Sequence, residues 1–179
     1  MQDLIDILSA MVGNKGAVAD PRELLLDVGE RIVKRVSGAF GVKVDEVAIL
    51  LLTSDGKHLR FVSPRQFAEL GMIPITKRDS IAVNILGKRV GEALNNVPQV
   101  KHVAFFESIK LRDRPTPIQK MITVPVINRG EAVGVAQISR KGETPGAAGS
   151  DFSGSDVQKA QDVFEAVAPY LLAARPDNY

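Results

Sequence analysis

This sequence contains few of the side-chain types that commonly act as nucleophiles, metal ligands or acid–base groups. Its 179 residues include no cysteine and two histidines, His58 and His102. Without cysteine there can be no disulfide, no thiolate metal site and no thiol nucleophile. Two histidines are too few for a histidine-based metal cluster. His58 follows a turn signal, and we expect it to be a solvated residue at a hairpin tip.

A second group of candidates lies in the irregular stretch 95–119, which is rich in proline and locally cationic. A stretch of that length without a regular pattern is usually a lid, a binding loop or a broken helix. Its aromatic residues would form apolar walls, and its cations would attract an anion, although each cation could instead be a solvated surface charge. The candidates, with the lysine that follows the stretch, are Phe105, Phe106, Lys101, His102, Arg112, Arg114 and Lys120.

Catalytic motifs are missing from the sequence. No serine, histidine and aspartate have the spacing of a catalytic triad, and no glycine-rich loop could hold a phosphate. The carboxylates near positions 45–46, 107 and 151–156 resemble surface or helix-cap residues. We therefore expect no enzymatic activity and identify no cofactor.

The most apolar stretch, 120–142, predicts two long strands joined at Arg129-Gly130. A sheet face with little side-chain volume indicates that a helix or a ligand comes close to it. Pro125 cannot donate to a ladder, so it should mark a sheet edge, a bulge or a strand end. The two-residue loop pairs Val126 with Val133 and Val124 with Val135, and it leaves a sparsely filled reverse face made of Thr123, Pro125, Gly134 and Ala136. A four-residue loop would reassign these pairs.

An earlier hairpin is predicted by Asp55-Gly56, because a type I′ turn needs positive φ at both central residues. This turn would pair Leu52 with Leu59, Leu50 with Phe61 and Ile49 with Val62.

Apolar spacing and capping residues predict the helices. The first should cover 2–12 and dock on the body of the protein or on a partner subunit. The second should open at Asp20-Pro21, and a short one should cover 80–87. The last should begin at Ser153 with Asp156 in a capping box, and Pro169 should kink it or weaken its last turn.

The order of these elements resembles that of a GAF domain. Four motifs carry the resemblance: Thr123-Val124-Pro125-Val126, the turn Arg129-Gly130, the strand 133–138, and Asp151-Phe152-Ser153-Gly154-Ser155-Asp156. The resemblance covers about residues 21–174 and implies an α+β fold related to profilin and PAS domains. In that fold a central antiparallel sheet of five or six strands has the N- and C-terminal helices on one face and a lid of loops and short helices on the other. A PAS-like sensor is the second choice.

The family's known activities can be compared with this sequence. Members that reduce methionine sulfoxide or bind bilins covalently need cysteine, which this chain lacks. Asn95-Asn96 and Phe105-Phe106-Glu107 do not reproduce the order of the cyclic-nucleotide signature. His102 lies near the position of a heme ligand, but a lone histidine in a basic loop is more often solvated or packed.

The resemblance implies a non-catalytic sensory or regulatory domain, with the domain itself at 20–175, an amphipathic extension at 1–19 and a tail at 176–179. It would bind a small molecule, with an anion favoured by the basic stretch, and signal through a separate output partner, since this length leaves no room for an output domain. The implied ligand residues are Lys101, His102, Phe105, Phe106, Arg112, Arg114, Thr123 and Gln137.

The alternative is a homodimerisation or protein-interaction module without a ligand. GAF domains often dimerise through their terminal helices, and the interface would then use Leu4, Leu8, Met11, Leu24, Val28, Phe164 and Leu171.

Charge and hydropathy set the expected location and exclude some partners. A net charge of +2 gives no argument for nucleic acid. No apolar run reaches the roughly 20 residues that span a bilayer. The first residues lack a secretory signal, so we expect a cytoplasmic protein.

Overall fold

The computed structural model describes residues 1–18, 20–69, 71–99 and 116–179. These residues form four α-helices and six strands. In chain order they are α1 Gln2–Gly13, α2 Pro21–Phe40, β1 Val47–Leu52, β2 His58–Ser63, β3 Met72–Pro74, α3 Ile81–Lys88, β4 Glu92–Leu94, β5 Ile118–Asn128, β6 Glu131–Lys141 and α4 Gly154–Ala174. Within these ranges, every helix is too short or too polar to cross a membrane.

The strands form one antiparallel sheet in the order β3-β2-β1-β6-β5-β4. We call the face that packs against α2 and α4 the helix face, and the opposite face, on which α3 packs, the far face. Each face has its own buried apolar cluster. The predicted α+β architecture is confirmed: the sheet has six strands, and the first long helix and the last helix lie on the same face. Of the predicted lid at 95–119, residues 100–115 lie outside the described residues.

The β5–β6 hairpin has the predicted two-residue turn but a different register. Arg129 and Gly130 both have positive φ, 52° and 83°, and Asn128 pairs with Glu131. A bulge then interrupts the ladder between Val126 and Ile127. It inserts one extra residue in β6, so the predicted valine pairs are wrong by one position.

This shift divides the face that we predicted to be sparsely filled. Thr123 and Pro125 lie on the far face. Gly134 and Ala136 lie on the helix face, where Ala136 opposes Val124. The far face of the hairpin is therefore polar at its centre, with Thr123 opposite Gln137.

Pro125 lies where β5 has lost one neighbour. The pairing of β4 with β5 ends at Thr123, so the proline is past the end of that ladder, and the bulge follows it. An edge position beside a bulge agrees with the sequence prediction, because a proline nitrogen cannot donate to a ladder.

The β1–β2 hairpin keeps most of its predicted register. Leu52 pairs with Leu59 and Leu50 with Phe61, but Ile49 pairs with Ser63 instead of Val62 because a bulge intervenes. The predicted type I′ turn is wrong, since Gly56 has φ 68° while Asp55 has no positive φ.

The Asp55 carboxylate holds this turn. It accepts from the Thr53 hydroxyl at 2.6 Å and from the Lys57 backbone N–H at 3.0 Å. These two hydrogen bonds, first that from Thr53, hold the pKa of Asp55 below its usual value. A side chain that bonds its own turn in this way competes with a regular ladder, which explains the different turn geometry.

The helix caps are as predicted. Asp20 accepts from the Arg22 backbone N–H at 2.8 Å, and Ser80 accepts from Val83 at 3.3 Å. Ser153 and Asp156 form the capping box of α4. Pro169 does not end α4, which continues to Ala174.

Helix α1 docks on the body of the chain, one of the two outcomes that the sequence allowed. It packs on α2 and α4, with Leu4 and Leu8 buried. Lys15 follows α1 and donates to the carbonyls of Ala173 at 2.9 Å and Arg175 at 3.2 Å, at the C-terminal end of α4. A cation at that end of a helix is favourable.

The last residues also contact the body. The Tyr179 hydroxyl donates to the Arg60 carbonyl at 3.1 Å. The backbone carbonyl of Tyr179 accepts from the Ser54 N–H at 2.8 Å. Burial raises the pKa of Tyr179. This segment therefore packs against the β1–β2 hairpin.

Gly134 lets β1 and β6 approach each other. A Cβ at this position would lie 2.3 Å from the Leu50 carbonyl oxygen, a distance that only a backbone shift could relieve. We expect Gly134→Ala to lower the free energy of unfolding in urea by about 1–3 kcal/mol, as overpacking does elsewhere. Gly38→Ala is the matched control, because that exposed position in α2 has open space. It should stabilise by up to about 1 kcal/mol. Equal effects of the two changes would contradict the close approach.

The α4 capping box should make stability depend on pH. The backbone N–H of Ser153, and then its hydroxyl, hold the pKa of Asp156 below its usual value. A carboxylate with a lowered pKa stabilises the fold above its unfolded pKa of about 3.9, and this stabilisation is lost as pH falls through the folded value. We expect Asp156→Asn to cost about 1 kcal/mol near neutral pH. The difference from the unmodified protein should shrink in acid, as measured by urea unfolding across pH. Glu165→Gln, at an exposed position of α4, should show no such change.

Candidate ligand site on the far face

A row of polar side chains crosses three neighbouring strands on the far face. Glu92 of β4 pairs with Thr123 of β5, and Thr123 pairs with Gln137 of β6. Residues directly opposite each other point to the same side of a sheet. The three side chains therefore lie next to one another, and Ala48 of β1 follows Gln137 in the row. We call Glu92, Thr123 and Gln137 the polar row.

Thr123 and Gln137, the inner residues of the polar row, are buried, and one of their acceptor atoms has no hydrogen-bond partner among the described residues. Thr123 and Gln137 are each 1% exposed. Gln137 Nε2 donates to Thr123 Oγ1 at a long 3.4 Å. Gln137 Oε1 has no hydrogen-bond partner in the described part of the chain. Because an unsatisfied buried polar group costs about 1–3 kcal/mol, this oxygen calls for an explanation.

Apolar side chains border the row. Met121 and Val135 are its neighbours on β5 and β6, and Leu94 packs beside them from β4. Helix α3 packs over β5 and β6 with Ile81 and Ile85 in the same cluster. The buried part of the polar row is therefore enclosed by apolar side chains.

Glu92 lies at the outer end of the row, where its side chain is 37% exposed. Its nearest cation is Lys88, whose Nζ is 3.8 Å from the carboxylate. An ion pair at this distance and with this solvent exposure is weak. The Glu92 carboxylate therefore leaves a negative charge at the outer end of the row. The sequence did not single out Glu92, because only the β4–β5 register places it beside Thr123.

A second buried amide lies at the base of the hairpin. Gln119 is 4% exposed, and its Nε2 donates to the Gly142 carbonyl at 2.7 Å. Its Oε1 also lacks a partner among the residues described. The sequence carried no signal for this residue.

Lys120, a candidate for binding an anion, is engaged elsewhere. Its side chain is 6% exposed, and Nζ forms an ion pair with Asp151 Oδ1 at 2.7 Å. The same atom donates to the Gly149 carbonyl at 2.5 Å. These contacts hold the loop before α4 on β5, so the structure gives Lys120 a structural role.

The other predicted ligand residues of the basic stretch lie outside the described residues. They are Lys101, His102, Phe105, Phe106, Arg112 and Arg114. Of the predicted ligand set, the structure describes Thr123 and Gln137 and brings these two together.

The predicted interface residues pack within their own chain. Side chains that α1, α2, α4 and the sheet already cover offer little area to a partner. Buried in the helix-face cluster are Leu4, Leu8, Leu24, Val28, Phe164 and Leu171, with Met11 partly buried beside them. Homodimerisation through these helices stays a prediction.

Residues missed by the sequence reasoning include Arg65. It donates to Glu23, Asp27 and Glu30 at 2.6, 2.6 and 2.9 Å. These three acids form a stripe on α2, and the contacts with Glu23 first and then Glu30 raise the pKa of Arg65. They fix the segment after β2 on the helix. A signal was present in the spacing of the three acids, but their partner is distant in sequence.

No protein-family model and no curated protein matches this sequence. The solved structures that it resembles are mostly GAF domains. The GAF domain of an Acinetobacter phosphoenolpyruvate-protein phosphotransferase is 17% identical, with a TM-score of 0.65 over 94% of this chain and 92% of that one.

Two other solved structures are similar at the same level. A methyl-accepting chemotaxis protein fragment is 14% identical, with a TM-score of 0.63 over 92% of this chain and 96% of that one. The free methionine-R-sulfoxide reductase of Neisseria meningitidis, solved with its substrate, is 14% identical, with a TM-score of 0.58 over 97% and 89%. Similarity at these identities concerns the fold alone. Together with the sheet order and the helix placement, it shows that this chain has the GAF-domain fold.

Proposed function

We propose that this protein is a non-catalytic sensory domain that binds a small molecule at the polar row on the far face. The observation that carries the proposal is Gln137 Oε1, a buried acceptor without a partner in the described residues, beside Thr123. Native proteins pair nearly all buried polar atoms, and exceptions often mark functional sites. A ligand that supplies the missing donor would explain why an amide occupies this position.

The comparisons support a binding or signalling role by analogy with the fold. One similar structure comes from a chemotaxis protein, and another holds the substrate of a reductase. The reductase is an enzyme, so the GAF-domain fold is compatible with catalysis. This chain lacks cysteine, and thiol chemistry is therefore closed to it. Binding without reaction is the role that its residues support best.

A sensory domain of this kind acts through a partner. The ligand can shift an equilibrium between two states only by its differential affinity for them. The output would therefore be a change in how this domain contacts another protein or a second copy of itself.

We expect native mass spectrometry of the freshly purified full chain to show a co-purifying small molecule. Gln137→Met and Thr123→Val should lose it, because each change removes a polar group of the row. Gln158→Met is the matched control, since that glutamine bonds Asp162 on the exposed surface of α4, and it should keep the molecule. An unmodified protein without any bound molecule, or equal retention by all variants, would count against the proposal.

The empty protein should gain stability when the unpaired amide is removed. Replacing Gln137 by methionine and Thr123 by valine together keeps the side-chain sizes and removes the unpaired acceptor without leaving the Thr123 hydroxyl alone, because Gln137 Nε2 is its donor. We expect the free energy of unfolding without ligand to rise by about 1 kcal/mol, as measured by urea denaturation. A loss of stability would mean that the oxygen is satisfied in the native state and that the site needs no ligand.

A further inference from the structure

We infer that the ligand of the polar row presents an N–H group to Gln137 and is an uncharged or cationic amide or amine, not an anion. The inference rests on the proposed function and specifies the chemistry of the same site. It follows from the hydrogen-bonding capacity and the charge of the described residues that form the row.

The polar row has an unpaired acceptor, so a complementary ligand must supply a hydrogen-bond donor. Gln137 Nε2 is directed to Thr123 Oγ1, and Gln137 Oε1 is left as an open acceptor. The Thr123 hydroxyl, having accepted from Gln137, still has its own O–H to donate. The pair therefore offers one acceptor and one donor side by side. An amide group has the complementary pattern, since it carries both an N–H and a carbonyl oxygen.

An anion does not fit this pattern. Carboxylates and phosphates in their ionised form bring acceptors alone. One oxygen of such a group could accept from Thr123, but the next would face the lone pairs of Gln137 Oε1. The buried amide oxygen would stay unpaired, and the penalty that the ligand should relieve would remain.

The charge of the described residues around the row also disfavours an anion. Glu92 lies in the row beside Thr123 and carries negative charge at its outer end. Neighbouring strands lie about 4.8 Å apart, so Glu92 lies roughly 10 Å from Gln137 across the sheet. Two like charges at that distance repel by about 0.4 kcal/mol in water and by more near a protein surface. A cationic amine would instead gain from the same carboxylate.

Among the described residues, Lys88 is the cation nearest to the outer end of the row, and its pair with Glu92 at 3.8 Å is weak. The cations of the neighbouring strands are committed to other partners. Lys120 pairs with Asp151 at 2.7 Å, and Lys141 pairs with Asp45 at 2.6 Å. Arg140 donates to the Ser150 hydroxyl at 2.7 Å, in the loop before α4. These strands therefore direct their positive charge to loops at the base of the hairpin, away from the polar row. The expectation of an anionic ligand came from the basic stretch 95–119, whose cations lie outside the described residues.

The test uses three probes of one shape that differ in hydrogen bonding and charge. Benzamide has an N–H donor and an acceptor, methyl benzoate is neutral with acceptors alone, and benzoate is an anion. The probes are titrated into the isotope-labelled full chain, and the side-chain NH₂ resonances of Gln137 are followed by NMR. These resonances are assigned by their loss in Gln137→Glu.

We expect benzamide to shift the Gln137 resonances saturably and to bind at least about tenfold more tightly than either ester or anion, the factor that corresponds to one hydrogen bond of about 1.4 kcal/mol. Benzoate that binds at Gln137 as well as benzamide, or better, would overturn this inference and leave the proposed function intact. Probes that all fail to shift the Gln137 resonances would count against the proposed function as well.

Two variants separate a missing acceptor from a damaged fold. Gln137→Glu keeps an oxygen acceptor at the same length and should retain benzamide binding, followed through the Thr123 methyl resonance. Gln137→Met has no oxygen and should lose at least about tenfold in affinity while remaining as stable as the unmodified protein. Equal binding by both variants would show that the ligand does not use this acceptor.

Discussion

One extra residue in β6 determines which side chains of the central hairpin reach each face of the sheet. Without the bulge near Val126 and Ile127, the pairing set by the turn would place Gln137 opposite Ile122, on the helix face. An amide would then lie in the apolar cluster between the sheet and its two long helices. With the bulge, Ile138 opposes Ile122 and Gln137 opposes Thr123. Because a side chain changes face with every one-residue slip, both the core and the polar row depend on this insertion.

The sequence predicted best those features that form within a few residues. The caps at Asp20, Ser80 and Ser153 all bond backbone groups two or three positions away, so neighbouring residues suffice to define them. The turn at Arg129-Gly130 is local in the same sense. The bulges are not local features. Whether an extra residue fits in a strand depends on what packs on each face of the sheet, and that packing involves α2, α3 and α4.

The candidate site was predictable in part for the same reason. Thr123 and Gln137 came from the resemblance to GAF domains, which identified the strands that contain them. Glu92 was missed because its place depends on the register of β4, a strand of three residues. Lys120 was counted among the cations of the lid because its partner Asp151 lies beyond the whole of β6. A charge read from the sequence keeps its functional meaning only when no partner from a distant segment neutralises it.

The two faces of the hairpin differ in what they bury. On the helix face, Ile122, Val124 and Ile138 are fully buried, and each contributes about 1.5–3 kcal/mol by leaving water. On the far face, the open oxygen of Gln137 costs about 1–3 kcal/mol, an amount that a single one of those side chains can offset. Close packing of β1 against Gly134 keeps the strands together beneath both faces. The same hairpin can therefore hold an unpaired polar group on one side because the centre of its other side is apolar. A donor that reaches Gln137 would recover the free energy that the unpaired oxygen costs.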